Sequence, residues 1–338
     1  MSNYGIKIGA FNLQRRKIVE KKKDTSVFLF WVLLCSLVYG GVFVSLPLYE
    51  FSDRNNYLRY ASHSWDIFEM YRANGLLVVL ANEPLWLLLN AALAKIFAPE
   101  TVLRIIIFFP ATWVAWTILR HNSPPFIWLL LFLLLPQTVV HHLCMLRQGL
   151  AIAIFLAGWF SPRRYIRLLL MAVTPFIHAS FVFVLAIYFL SFLLRKLKVA
   201  ADVRTLTYCS FALGFSLLLA WLASMVGARQ AEYYTFSAAD ISGFGFVFWL
   251  VILFVMFLQG KRYLYTYSFE VGGLFFYLVS YFFIPVSARI FESMLLLILI
   301  AGLHLTGWRC TIFLVSITSY CILQYALKIH QPWLGFGV

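Results

Sequence analysis

The sequence predicts an all-α, polytopic integral membrane protein. Of its 338 residues, 63% are hydrophobic and 12% are charged, and a soluble chain of this length cannot bury so much apolar surface. The apolar residues form long unbroken runs, whereas the strands of a membrane barrel would alternate over roughly ten residues. We therefore expect about 11 transmembrane helices, plus a re-entrant or interfacial helix in the first outer loop.

Basic residues predict the orientation of these helices. The chain has 27 Lys and Arg against 13 Asp and Glu, and in a membrane protein this excess first marks the loops that stay in the cytoplasm, not a nucleic-acid site. Residues 1–26 form a basic tail, and the apolar run 27–47 after it is too long for the core of a cleaved signal peptide. The other clusters predicted to be cytoplasmic lie at 163–167, 195–204 and 261–262.

These assignments give one transmembrane domain whose N-terminus lies in the cytoplasm and whose C-terminus lies in the periplasm. The predicted parts are a cytoplasmic tail at 1–26, a transmembrane domain at 27–327, outer loops at about 48–100 and 227–243, and a periplasmic C-terminus at 328–338. The apolar runs after the first loop lie at 101–119, 126–142, 147–160, 168–194, 205–226, 244–259, 269–285, 289–307 and 310–327.

Two of the apolar runs need special treatment. Basic clusters on both sides of 168–194 should face the cytoplasm, so this run must consist of two short legs that bend near Thr174, Pro175 and His178. The run 76–98 is interrupted by Asn82-Glu83-Pro84. Because the next apolar run is predicted to cross towards the cytoplasm, the run 76–98 must begin and end on the outer side of the membrane. It therefore fits a re-entrant or interfacial helix.

The motifs of several chemistries are missing from the sequence. It has no CxxC pair, no GxxxxGK[ST] loop and no HExxH motif, so neither a zinc site nor nucleotide hydrolysis is indicated. We expect no metal and no cofactor.

Arg147 is the strongest candidate for anion binding. It opens a predicted helix at the outer end of an apolar run, where a guanidinium and the positive helix N-terminus together favour phosphate oxygens. Gln148, the next residue, is a plausible additional donor. The alternative is an arginine that extends to the membrane interface for solvation alone.

His178 and Arg289 lie at two further outer ends. A histidine at the bend of an apolar run can donate to phosphate or move a proton near neutral pH, although a core histidine bonded to a carbonyl is the alternative. Arg289 opposes the dipole of its own helix unless an anion compensates it, and its alternative partner is Glu292 at i+3. His141 and His142 are weaker candidates.

Carboxylates and aromatic residues of the outer loops complete the candidate set. Glu83 precedes Pro84 and is either a helix cap or a carboxylate base. Asp53 lies at the start of the first loop and is a second possible base. The alternative, which is equally consistent with the sequence, is a solvent-exposed polar loop residue without a catalytic function. The candidate sugar contacts are Arg54, Tyr57, Tyr60, Arg229, Tyr233, Tyr234 and Tyr281.

Five features in this order carry a family resemblance. They are Asp53 with the tyrosines after it, Glu83-Pro84-Leu85-Trp86, Arg147-Gln148-Gly149-Leu150-Ala151, Phe176-Ile177-His178-Ala179-Ser180 and Ala288-Arg289-Ile290. Over residues 53–290 the sequence resembles the EpsG-like, Wzy-type polymerases of bacterial O-antigens, capsules and exopolysaccharides.

The resemblance implies a GT-C-like glycosyltransferase of the bacterial inner membrane, with its active site facing the periplasm. Its substrates would be undecaprenyl-diphosphate-linked oligosaccharides, which it would join without a nucleotide sugar. Arg147, Arg289 and His178, supported by Gln148, would bind the diphosphate. Glu83 or His178, with Asp53 behind them, would be the base. The basic tail, longer than expected for the family, has anionic membrane lipid and a chain-length regulator as its candidate partners.

Three alternatives stay open at this point. An O-antigen-ligase-like glycan transferase would use the same cationic diphosphate site. A lipid-linked oligosaccharide flippase or other transporter should carry charges along a full path through its helices, whereas here they gather at outer ends. In a purely structural subunit the polar loops would be merely solvated.

Overall fold

The computed structural model describes residues 25–121, 125–225, 243–284 and 286–337, and the regular secondary structure within these ranges is entirely helical. An isolated antiparallel bridge joins Phe51 to Gly337. The helices are α1 (Thr25–Ser45), α2 (Arg54–Ala73), α3 (Leu76–Ala81), α4 (Pro84–Ala94), α5 (Pro99–Leu119), α6 (Phe126–Leu133), α7 (Pro136–Leu143), α8 (Leu146–Trp159), α9 (Arg164–Val173), α10 (Ser180–Lys196), α11 (Ala201–Met225), α12 (Phe244–Phe257), α13 (Lys261–Thr266), α14 (Ser268–Ser280), α15 (Ser287–Glu292), α16 (Leu295–Gly302) and α17 (Trp308–Lys328), with 3₁₀ turns at Thr174–Phe176 and Pro332–Gly335.

The helices agree with an all-α membrane protein but do not settle the number of crossings. In the described ranges, α1, α5 and α17 are each long and apolar enough to span a bilayer, and α6 with α7, bent by 53°, forms a fourth span if the pair counts as one. Most other apolar helices have 10–17 residues, fewer than the roughly 20 that a full span requires. The count of eleven crossings therefore stays a prediction.

The break expected within 168–194 is present. Helix α9 ends at Val173, the 3₁₀ turn Thr174–Phe176 follows, and α10 begins at Ser180. Pro175 lacks a backbone N–H and disfavours α conformation in the residue before it, so a continuous helix through this position is unfavourable. His178 is thereby placed in the short non-helical segment between two helices.

The first outer loop contains more structure than the sequence suggested. The polar stretch before Asn74 is the 20-residue helix α2, and the run 76–98 is divided into α3 and α4 at Asn82 and Glu83. Trp86 of α4 is 1% exposed and meets the rings of Tyr57 and Tyr60 at centroid distances of 5.7 and 6.3 Å. Because these aromatic contacts bury one face of α2, the segment is part of the folded core.

Arg54, one of the predicted sugar contacts, forms its hydrogen bonds within the protein, and its contact with sugar stays a prediction. It is 0% exposed; its Nε donates to the carbonyl of Leu143 at 2.5 Å and a terminal nitrogen donates to that of His142 at 3.3 Å. These two carbonyls lie at the C-terminal end of α7, where no further helical turn supplies backbone N–H donors. Burial lowers the pKa of Arg54 to about 10, so the guanidinium stays protonated near neutral pH and ties α2 to the end of α7.

The connection from α7 to α8 depends on Gly149. A Cβ at this position would lie 2.3 Å from the carbonyl oxygen of His141, a backbone atom that cannot rotate away. The absence of a side chain therefore lets the first turn of α8, which carries Arg147 and Gln148, pack directly on α7.

We expect Gly149→Ala to destabilise the protein by about 1–3 kcal/mol, the usual cost of overpacking a core. Thermal unfolding of the purified protein in detergent measures this as a lower midpoint. Gly214→Ala is the matched control, because a Cβ at Gly214 in α11 has no atom within 4 Å. Equal midpoints for the two variants would contradict the assigned close approach.

Candidate functional site

The candidate site is built around the carboxylate of Glu83. This residue is 2% exposed and adopts the left-handed conformation, with φ 57° and ψ 54°, which is uncommon for a residue with a side chain. Glu83 occupies the N-cap position of α4, as the sequence predicts, but its side chain makes no capping hydrogen bond, so capping alone does not explain this residue. The carboxylate instead contacts two distant parts of the chain.

Three donors converge on this carboxylate. Arg147 forms a salt bridge with Oε2, while Oε1 lies 2.8 Å from Nδ1 of His178 and accepts from the backbone N–H of Ala179 at 3.3 Å. Ala179 immediately precedes α10, so the carboxylate also faces the positive N-terminal end of that helix. Residues from three separate motifs thus form one buried ionic group, which we call the Glu83–Arg147–His178 triad.

The bond to Glu83 fixes the orientation of the His178 ring. An ionised carboxylate only accepts hydrogen bonds, so Nδ1 must carry the hydrogen and the neutral ring keeps its lone pair on Nε2. The side chain is 13% exposed, which leaves the ring partly accessible. His178 is therefore arranged as a proton acceptor whose other nitrogen is held by a carboxylate.

The Arg147 side chain is only partly buried by its contacts. It is 21% exposed, whereas its Nε is buried and has no hydrogen-bond partner among the described residues. The guanidinium lies over the ring of Tyr60, 5.5 Å from its centroid, and hydrogen-bonds with the side chain of Tyr57. Both tyrosines thus contact the predicted anion-binding residue, although contact with sugar stays a prediction.

Gln148 connects the triad to α15. Its Nε2 donates to the carbonyl of Arg289 at 2.6 Å and to the hydroxyl of Ser293 at 2.9 Å, and Ser293 in turn lies 3.0 Å from the hydroxyl of Ser180. These bonds occupy the Gln148 amide nitrogen within the protein, which indicates a positioning function. They also place the first turns of α8 and α10 against α15.

Arg289 lies near the triad with an exposed side chain. The positive charges of Arg289 and of Arg147 both disfavour protonation of the His178 ring. The alternative i, i+3 pair with Glu292 is absent from the ion pairs of the described residues. The backbone of Arg289 is thus tied to α8 through Gln148, while joint binding of an anion by Arg147, His178 and Arg289 stays a prediction.

Two further predicted residues, Asp53 and Tyr281, form other contacts among the described residues. Asp53 is exposed at the start of α2 and accepts from Asn56 at 3.3 Å; the part of the chain that the structure describes contains no bond from it to the triad. Tyr281 packs in an aromatic cluster, 5.6 Å from Phe246 and 5.3 Å from Tyr277 between ring centroids. Arg229, Tyr233 and Tyr234 lie outside the described residues.

Two features of the site were missed by sequence reasoning. The backbone N–H of Ala179 and the hydroxyls of Ser180 and Ser293 were not among the predicted site groups, although Ala179 and Ser180 belong to the motif at 176–180 that carries the family resemblance. A small cavity lined in part by Thr138, His141, His142 and Glu292 was not expected either. Both ring nitrogens of His141 are buried in it without partners among the described residues, so His141 is more deeply placed than an interface residue.

Comparison with known proteins gives one clear result. Residues 31–333 match the sequence profile of the EpsG family. No curated protein and no solved structure matches the chain significantly. Because the match covers nearly the whole chain and includes every residue of the triad, the chain belongs to the EpsG family, a family of Wzy-like polymerases.

Proposed function

We propose that this protein is an inverting glycosyltransferase that joins polyprenyl-diphosphate-linked oligosaccharide repeat units into a polysaccharide. The observation that carries the proposal is the Glu83 carboxylate held between Arg147 and His178. This geometry supports the proposal because a guanidinium, which suits a diphosphate, lies next to an imidazole, which suits proton transfer from a hydroxyl. Membership of the EpsG family supports the same general activity.

The cationic side of the site suits a diphosphate leaving group. When the bond between the anomeric carbon and the diphosphate breaks, the bonding electrons and a new negative charge stay on the phosphate oxygen. The partly exposed guanidinium of Arg147 and the exposed side chain of Arg289 would stabilise that charge. Removing one such donor typically costs about 3 kcal/mol of transition-state stabilisation.

His178 is better arranged than Glu83 to be the base. Glu83 already accepts from three donors, whereas Nε2 of His178 keeps a lone pair. In the proposed step the acceptor hydroxyl gives its proton to Nε2 while its oxygen bonds to the anomeric carbon opposite the leaving diphosphate, which inverts that centre. Glu83 would orient the ring and stabilise the imidazolium.

The membrane setting of this reaction also belongs to the proposal. We place the triad at the periplasmic face of the bacterial inner membrane, within a GT-C-like arrangement of about eleven crossings. The positive-inside distribution of the basic clusters supports this orientation. A partly buried site would also limit hydrolysis of the donor by water.

The deciding experiment uses purified protein in lipid nanodiscs with lipid-linked repeat units as the only substrate. A polymerase produces a ladder of longer lipid-linked chains, which gel electrophoresis resolves. An O-antigen-ligase-like enzyme needs a different acceptor and produces no ladder, and a flippase changes only the leaflet of its substrate. Failure to form a ladder with the natural repeat unit would reject the polymerase proposal.

We expect Arg147→Ala and Arg147→Lys both to abolish ladder formation, because lysine keeps a charge but cannot grip Glu83 and a phosphate with a planar fork. Donor binding, measured with radiolabelled lipid-linked repeat unit, should weaken in both variants. Arg72→Ala is the control, since Arg72 forms only an exposed i, i+3 pair with Glu69. Full activity of the Arg147→Lys variant would contradict the proposal that Arg147 binds through two parallel hydrogen bonds.

We expect His178→Gln to lower the polymerisation rate by about 10²–10⁴-fold, the usual contribution of a general base, with little change in donor binding. Single-turnover rates and binding of the labelled donor separate the two effects. His304→Gln is the matched control, because His304 is not part of the triad and its Nδ1 lies 2.8 Å from the carbonyl oxygen of Ile300 in α16. Loss of donor binding with an unchanged rate for bound substrate would contradict the base assignment.

We expect Glu83→Gln to be as impaired as His178→Gln. The amide keeps the shape of the side chain but removes the charge that orients His178 and pairs with Arg147. The double variant should then lose little further activity, because the two residues act as one unit. Additive losses would show that Glu83 acts independently of His178.

A further inference from the structure

The chain turns back sharply after its last long helix. The 3₁₀ turn Pro332–Gly335 follows α17, and Trp333 and Leu334 within it have φ values of 49° and 57°. Left-handed backbone is unfavourable for a residue with a side chain and persists only where its surroundings fix it. Two such residues in succession indicate that contacts with other segments hold this turn. We call residues 332–337 the C-terminal hook.

The C-terminal hook is held against the start of the first outer loop. Gly337 pairs with Phe51 in the antiparallel bridge, and the backbone N–H of Ser52 donates to the carbonyl of Phe336 at 3.2 Å. The ring of Trp333 lies 5.1 Å from that of Phe51 between centroids. The left-handed turn is therefore fixed by a segment that lies far from it in sequence.

The hook also reaches the connection between α7 and α8. Sγ of Cys144 donates to the carbonyl of Phe336 at 3.3 Å. Phe336 is 6% exposed and belongs to one buried cluster with Leu146 and Tyr57. Leu146 directly precedes Arg147, and Tyr57 hydrogen-bonds with the Arg147 side chain. The hook is thus part of the packing that surrounds the base of Arg147.

The helix is broken just before Arg147. The backbone N–H groups of Cys144 and Met145 both donate to the carbonyl of Val140, at 2.8 and 2.9 Å, and Met145 has the non-helical angles φ −110° and ψ 56°. Because α7 does not continue through this point, its direction does not determine that of α8. Contacts from other segments must do so, and the bond from Cys144 to Phe336 is one of them.

We propose that Phe336 is a positioning residue for Arg147, through which the C-terminal hook directs the guanidinium at the diphosphate of the lipid-linked donor. The identity of this ligand rests on the proposed function, whereas the packing of the hook does not. A displacement of about 1 Å at a substrate-positioning group can cost on the order of 100-fold in rate. Without the Phe336 ring, Arg147 would keep its charge but lose its fixed direction toward the donor.

The first test measures binding of the radiolabelled lipid-linked repeat unit to the full-length protein in nanodiscs. Phe336→Ala should weaken the donor affinity about tenfold, because the guanidinium is displaced. Phe336→Leu, which keeps a branched apolar side chain, should restore most of the lost affinity. No loss of affinity in Phe336→Ala would overturn the proposal.

Phe275→Ala is the matched control for the loss of a buried ring. Phe275 of α14 is 9% exposed, belongs to a different buried cluster, and has its ring 6.4 Å from that of Tyr208 and 5.6 Å from that of Phe257 between centroids. Its thermal unfolding midpoint should fall as in Phe336→Ala, while its donor affinity should stay that of the unchanged protein. Equal loss of donor affinity in both variants would reduce Phe336 to a general stabilising residue and overturn the proposal.

Amide hydrogen exchange tests the packing without any substrate. In Phe336→Ala the amides of Cys144 and Met145 should exchange faster, because their connection loses a contact, and in Phe275→Ala they should not. Unchanged exchange at these amides would overturn the inference, whether or not the protein polymerises its donor. Faster exchange together with no donor binding by the unchanged protein would instead reject the proposed function, and with it the diphosphate as the ligand of Arg147.

Discussion

The candidate site depends on compensation of one buried negative charge. An ionised carboxylate with 2% exposure would be unfavourable by several kcal/mol without close partners. Glu83 receives a guanidinium, an imidazole and a backbone N–H at the start of α10. Because these donors come from three separate segments, the same interaction that makes the charge tolerable also assembles the site.

The surrounding packing serves to hold those segments in place. Gly149 allows α8 to approach α7, Arg54 ties α2 to the end of α7, and Gln148 links α8 to α15. The left-handed backbone at Glu83 is unfavourable by itself and persists only because its neighbours fix it. A site held by contacts on every side keeps its donors in position before a substrate arrives, which is the condition for electrostatic stabilisation of a transition state.

Sequence reasoning identified the residues of the triad but not their mutual contacts. Arg147, His178 and Glu83 are conspicuous because ionisable side chains are rare within apolar segments and stand at their interruptions. Their meeting on one carboxylate depends on tertiary packing, which no local pattern encodes. The burial of Arg54 is hidden in the sequence for the same reason: its neighbours along the chain are polar, and only its bond to the end of α7 explains why it is buried. The helix α2 was read as a loop because its polar composition hides the aromatic face that packs on Trp86.

The pairing of Glu83 with Arg147 also affects how the proposed reaction would respond to its substrate. Without ligand the charges of Glu83 and Arg147 compensate each other within the triad, and the exposed cation Arg289 is left without a partner from the triad. A bound diphosphate would add negative charge beside His178, and a nearby anion favours the protonated imidazole. Proton uptake by His178 would thus become more favourable as the substrate binds and as charge develops on the leaving oxygen. Bond formation at the acceptor and bond breaking at the diphosphate would then be coupled through the carboxylate that holds both cations.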